Sequence, residues 1–190
     1  KGNTAWNILT EFPPGEVTHI HNIISDIKRN RILIFTGDAN NESGIWEYRI
    51  GDVKPKSLVR GEQLYRACSG YVYNDDLYYA TDTPQEENFL VKLCLDTLAV
   101  EKLGSLEGPI IYSAKLKNSF IFSSSVEADT NLKGINYLLS RRKGLGIKSN
   151  DSVVYSFNGI DILEIGRFKK DLYPMGLFQF GNVSFYTSEN

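Results

Sequence analysis

HIHNIISDIKRNRILIFTGDANNESGIWEY, residues 19–48, reads as strand, turn, strand, acidic loop, strand. An apolar run from His21 to Ile24 meets a turn rich in charge and amide: Asp26, Lys28, Arg29 and Asn30. A second run, Arg31 to Phe35, ends in Thr36-Gly37-Asp38, and a third strand opens at Ile45-Trp46 after a polar loop holding Glu42. Short β-rich runs bounded by Asn, Asp and Gly are the pattern of antiparallel strands joined by turns.

The same order of signals returns downstream. YRACSGYVYNDDLYYATD, residues 65–82, has its turn at Asn74-Asp75-Asp76. His21 answers to Tyr65, Leu33 to Leu77 and Asp38 to Asp82, each pair 44 residues apart. PIIYSAKLKNSFIFSSSVE, residues 109–127, opens a third unit with its turn at Lys117-Asn118, and Glu127 stands 45 residues after Asp82. The next strand of that unit, Ser152 to Phe157, is delayed by an insertion at about 128–150, in which Thr130 to Leu139 is the one helical candidate. Units are expected at about 17–62, 63–107 and 108–170, with a partial one at 171–190, in a single domain or fragment over 1–190. If the two ends share a blade, Ala5–Phe12 is expected to pair with Gly176–Tyr186. Repeats of roughly 40–50 residues with four strands each are the signature of a β-propeller. The fold class expected is therefore all-β, a β-propeller of four-stranded antiparallel blades, present as an incomplete ring of about four blades' worth.

The 190 residues are 42% hydrophobic and 23% charged, as in ordinary globular chains, and 11 Tyr with 10 Phe lean towards strands. A net charge of -2 gives no electrostatic basis for nucleic acid as a partner. No apolar run approaches the roughly 18 residues of a membrane span. Cys68 and Cys94 are too few for a disulfide framework or, on their own, a metal site, and both read as small buried hydrophobes.

HIHNIISDIKRNRILIFTGDANNESGIW, with YRACSGYVYNDDLYYATDTPQEEN after it, resembles the sialidase-like propellers with BNR-type or YVTN-type repeats. It is similar in particular to uncharacterised bacterial members with a His-rich first strand followed by TGD…E…GIW. The resemblance implies a propeller that binds or processes carbohydrate, glycoside hydrolase-like if it is an enzyme, in bacterial polysaccharide metabolism. The compartment stays open between bacterial cytoplasm and secretion. The S-x-D-x-G-x-T-W box of such propellers is missing: Trp46 to Asp52 lacks the Ser and the Thr-Trp pair. Sialidases use three arginines and a Tyr-Glu pair. Arg60, Arg66, Arg141 and Arg142 stand in no such motif here, so sialidase activity is not carried over.

Symmetry points to the candidate site. Asp38, Asp82 and Glu127 all follow second strands, so adjacent blades are expected to bring them to one rim, with His21 as a general base and Arg66 as counter-charge. His19 alternates with His21 in one strand and shares its side, which suits two ligands to one ion or a general base with its orienter. Glu42 follows in the first rim loop, and Arg141 and Arg142, beside Gly144 and Gly146, can grip a phosphate, sulfate or uronate. Converging carboxylates suit Ca²⁺ or acid and base work on a glycosidic bond. The competing reading is that each acid caps its own turn and the insertion recognises a partner protein, making the chain a non-catalytic interaction module.

Overall fold

The computed structural model describes residues 7–117, 119–178 and 180–186. Twelve strands form three four-stranded antiparallel sheets in chain order. The first holds β1 (His19–Asp26), β2 (Arg31–Gly37), β3 (Gly44–Tyr48) and β4 (Lys56–Arg60). The second holds β5 (Ala67–Tyr73), β6 (Asp76–Thr81), β7 (Asn88–Cys94) and β8 (Val100–Leu106). The third holds β9 (Ile110–Lys115), β10 (Phe120–Ser124), β11 (Asp151–Phe157) and β12 (Ile162–Lys169). β5 lies against β1 on one side and β9 on the other, so the inner strands adjoin and the sheets radiate as blades. This is the architecture of an incomplete β-propeller.

The uninterrupted apolar runs follow from burial on both faces. Leu77, Tyr79, Val91 and Leu93 of the second sheet pack against Leu33, Phe35 and Ile45 of the first. Their neighbours Tyr78, Ala80 and Leu90 pack against Phe120, Phe122, Val153, Tyr155 and Phe157 of the third. A middle blade that alternates its partners residue by residue has no polar face to show. Gly70 is one point where the backbone must come close, because a Cβ there would stand 2.7 Å from the Phe35 ring. Tyr71 stacks on Phe120, and Tyr78 meets Phe157, so these tyrosines are packing residues between blades.

The two ends behave differently from the expected shared blade. Ala5 and Trp6 lie outside the described residues, and Asn7–Phe12 forms no strand. That segment crosses the outward face of the first sheet instead: Phe12 sits edge-on to Trp46, and the Tyr48 hydroxyl donates to the Leu9 carbonyl. Trp46, Ile34 and Tyr48 form an apolar face that would otherwise meet water, which favours covering that face over ring closure. At the other end, the described part of 171–186 makes one antiparallel bridge, Gly181 to Val126, and no fourth sheet. Between β10 and β11 the insertion carries α1 (Gly134–Leu139). Among the described residues no helix is long and apolar enough to cross a membrane.

Candidate functional site

Each inner strand is irregular near its start. The β1–β2 register skips His21, the β5–β6 register skips Cys68 and the β9–β10 register skips Ile111. The three bulges sit at the same register step in the second and third sheets and one step further along in the first. A bulge adds an unpaired residue and re-aims its side chain, and bulges gather beside functional sites. His21 and Cys68 are thereby brought together, with Cys68 Sγ 3.5 Å from His21 Nδ1. The expected counterpart of His21, Tyr65, lies in a 3-10 turn ahead of β5. The β1–β2 connection, residues 27–30, is longer than the two-residue loop 74–75, so inner strands slip against the 44-residue spacing kept by the second strands.

Asp38 and Asp82 follow β2 and β6 directly, and Arg66 lies between them. Its Nη2 is 3.6 Å from Asp38 Oδ1 and 3.5 Å from Asp82 Oδ2. Arg66 Nη1 and Gln63 Nε2 both donate to the Asp38 carbonyl, at 3.2 and 3.0 Å, fixing the loop. His19 is exposed and hydrogen-bonds the Asp38 carboxylate; His21 is mostly buried, with Nε2 3.4 Å from Asp38 Oδ1. Gly37 makes this possible, since a Cβ there would come within 2.9 Å of both His21 Cε1 and Arg66 Cγ. Buried Asp82 accepts a hydrogen bond from the Cys68 thiol at 3.1 Å.

The third acid is displaced from the symmetry expected of it. Asp82 N–H bonds the Arg66 carbonyl, and in the third sheet the equivalent bond, to Pro109, comes from Ser125. Ser125, not Glu127, is therefore the counterpart of Asp38 and Asp82, because 43 residues rather than 45 separate equivalent positions in the second and third sheets. Glu127 stands two residues further out and accepts from the Ser125 hydroxyl.

Electrostatics separate the acids. Burial raises Asp38, but the His19 hydrogen bond and the charges of Arg66, His19 and His21 outweigh it and hold the carboxyl below its ordinary range. Burial and then the Asp82 charge push Glu127 up to about 7, against the opposing pull of Ser125 and Arg66. Burial, reinforced by Asp82, raises the Cys68 thiol far above its usual value, so it carries its proton at neutral pH. The donors near His21 are nitrogen, sulfur and carboxylate oxygen, which is not the all-oxygen shell of six to eight ligands that Ca²⁺ takes.

Beside the cluster lies a depression of about 610 Å³ bordered by Asp38, Gln63, Arg66, Gln85, Glu127 and Thr130. Neither Arg141 nor Arg142 borders it. Arg142 pairs with Asp129 at 2.9 Å, and the nearby glycines serve packing: a Cβ on Gly144 or Gly146 would run into the backbone of Pro84 or Glu86. Glu42 accepts from Thr18 N–H at 3.0 Å, tying the entering chain to the first rim loop.

No protein-family model matches the chain, and no curated protein matches it in sequence. Among solved structures it is similar to the N-terminal domain of Nup159, with a TM-score of 0.39 and 9% identity over 75% of this chain. It is also similar to a chain in the S. cerevisiae assembly of a Dbp5 variant with Nup159, a Gle1 variant, IP6 and ADP, with a TM-score of 0.38 and 9% identity over 75% of this chain. The chain spans about 29% of the length of each.

Proposed function

We propose that this chain is a non-catalytic protein-interaction module of propeller type, with the insertion between β10 and β11 as its recognising element. The observation that carries the reading is α1. Its Tyr137 packs with Val126, Ala128, Ile147 and Met175, while Ile135 and Leu139 on the same helix stand 65% and 57% exposed. Gly176 abuts Leu138, and the neighbouring Tyr173 and Phe178 rings, in contact at 4.8 Å, are exposed as well. Apolar side chains grouped in this way mark a surface that is covered in use. Lys133 and Arg141 flank the helix, so the partner that fits is a protein segment with apolar anchors between carboxylates. The rim acids support the same reading from the other side: Asp38, Asp82 and Glu127 each bond within the chain.

The test is selection of phage-displayed random peptides on the whole chain. The expected result is enrichment of apolar peptides with acidic flanks, whose binding falls at least about tenfold in the double variant Ile135→Asp, Leu139→Asp with unchanged circular dichroism, a loss of about 1.4 kcal/mol or more. Equal binding by that variant, or no enrichment, overturns the reading. The second reading, a sialidase-like carbohydrate binder, is favoured by one observation, the depression that joins Arg66 and Gln85 to a carboxyl raised to about 7. A glycan array of neutral and acidic sugars separates the two, since sugar binding that survives the helix double variant supports the depression and not α1.

A further inference from the structure

We propose that His21, Cys68 and Asp82 form a site for one Zn²⁺-class transition-metal ion where the first two blades meet. The three donor atoms lie within 4.8 Å of one another. In a tetrahedral zinc site with Zn–S about 2.3 Å and Zn–N about 2.0 Å, sulfur and nitrogen stand about 3.5 Å apart. Cys68 Sγ and His21 Nδ1 are 3.5 Å apart, and Sγ to Asp82 Oδ2, at 3.1 Å, needs to open only by a few tenths of an ångström. A nitrogen, a sulfur and one carboxylate make a donor set that zinc accepts, whereas hard cations take oxygen ligands and leave the thiolate and imidazole unused.

Two independent features fit a metal. The first is backbone: His21 and Cys68 are both bulge residues, so on each inner strand the side chain released from the ladder is a ligand. Ile111 fills the third bulge, which confines the donor set to the first two sheets. The second is the surrounding shell. His21 presents Nδ1 to Cys68 and Nε2 to Asp38, the carboxylate-to-imidazole support that fixes a ligating ring in its tautomer and orientation. Charge balance agrees. Arg66 with Asp38 and Asp82 leaves one negative charge beside a neutral thiol. A divalent ion, on binding, releases the Cys68 proton to solvent, and its two charges then offset the new thiolate and the excess carboxylate.

The whole chain is titrated with Co²⁺ as a spectroscopic stand-in and with Zn²⁺ as competitor. The expected result is a one-to-one complex with a thiolate-to-cobalt charge-transfer band that Zn²⁺ bleaches. Cys94→Ala keeps the band, whose source is then the one remaining thiol. Cys68→Ala, folded by circular dichroism, loses it, and Asp38→Asn weakens the affinity about tenfold. The proposal is overturned by the absence of a thiolate band in folded Cys94→Ala protein, or by unchanged Co²⁺ affinity in folded Cys68→Ala. Because these readouts involve neither α1 nor a peptide, their failure leaves the interaction reading intact, and the reverse holds too.

Discussion

Two charged clusters sit at opposite ends of β1, and they are built on different principles. At the hairpin end, Asp26 is fully buried and receives Arg31 Nε at 2.8 Å, while Arg31 also bonds Glu47. Arg29 reaches across to the second sheet, 2.8 Å from Asp75 and 2.7 Å from Asp96. Cations and carboxylates interleave there, and the cluster ties blade to blade. At the bulge end, one guanidinium stands between two carboxylates, with a thiol, two imidazoles and Glu127, whose carboxyl is raised to about 7, around it. The first arrangement holds one geometry. The second leaves proton and charge states open to change, which is what a binding site needs and a staple does not.

The largest expected effect tests the staple. Asp26→Ala leaves nearly buried Arg31 with Glu47 as its remaining carboxylate and takes Asp26 from Arg29 as well, so the expected cost is about 3 kcal/mol, the lower end for breaking a buried pair. Urea unfolding measures it. A loss below about 1 kcal/mol would place this cluster with ordinary surface pairs and remove the contrast.

The next effect belongs to Glu127 and is read with chelator present, so that no metal contributes. Its folded value of about 7 lies above the ordinary 4.5, so between those values the folded chain keeps a proton that the unfolded chain releases. Stability therefore falls as pH rises through that window, and the loss is complete above the folded value. The groups that set the shift are Asp82, Ser125 and Arg66. Glu127→Gln can keep the Ser125 hydrogen bond and has no proton to lose, so it should match the parent near pH 4 and exceed it by about 2 kcal/mol near pH 8, a value already discounted for partial exposure. Thermal melts across pH decide. An equal gain at both ends would show that shape, not charge, sets the difference.

Those two residues also mark how far the sequence can be read. The blade pattern is legible because burial on both faces leaves runs such as Arg31 to Phe35 and Phe89 to Leu95 in plain view, and because Asp38 and Asp82 follow equivalent strands 44 residues apart. Bulges leave no such trace. One unpaired residue in β1 and one in β5 change which side chains meet, and nothing in composition distinguishes Cys68 at a bulge from Cys94 at a strand end. The 45-residue interval misplaces Glu127 for a related reason: it stands two positions beyond Ser125, and subtraction of residue numbers cannot see where a ladder ends. The hairpin cluster leaves no mark in the sequence because charged turn residues usually face water. Only the fold reveals that Asp26 does not.

The smallest effect concerns Asp38, which belongs to the bulge-end cluster but is only partly buried. Its carboxyl is held below the ordinary range because burial, the largest influence, is outweighed by the His19 hydrogen bond together with Arg66, His19 and His21. A depressed carboxylate contributes stability that is present above its unfolded value and lost as pH falls through the folded one. Asp38→Asn resembles the protonated parent, so with chelator present the parent's advantage should show near neutrality and disappear on acidification below the usual carboxylate range. Solvent screens the pair with exposed His19, which limits the advantage to less than about 1 kcal/mol and makes it shrink in high salt. Melts of both proteins in low and high salt measure this. No advantage at any pH or salt would mean that Asp38 acts through its backbone carbonyl, which accepts from Gln63 and Arg66, and that the charge of its side chain is dispensable to the fold.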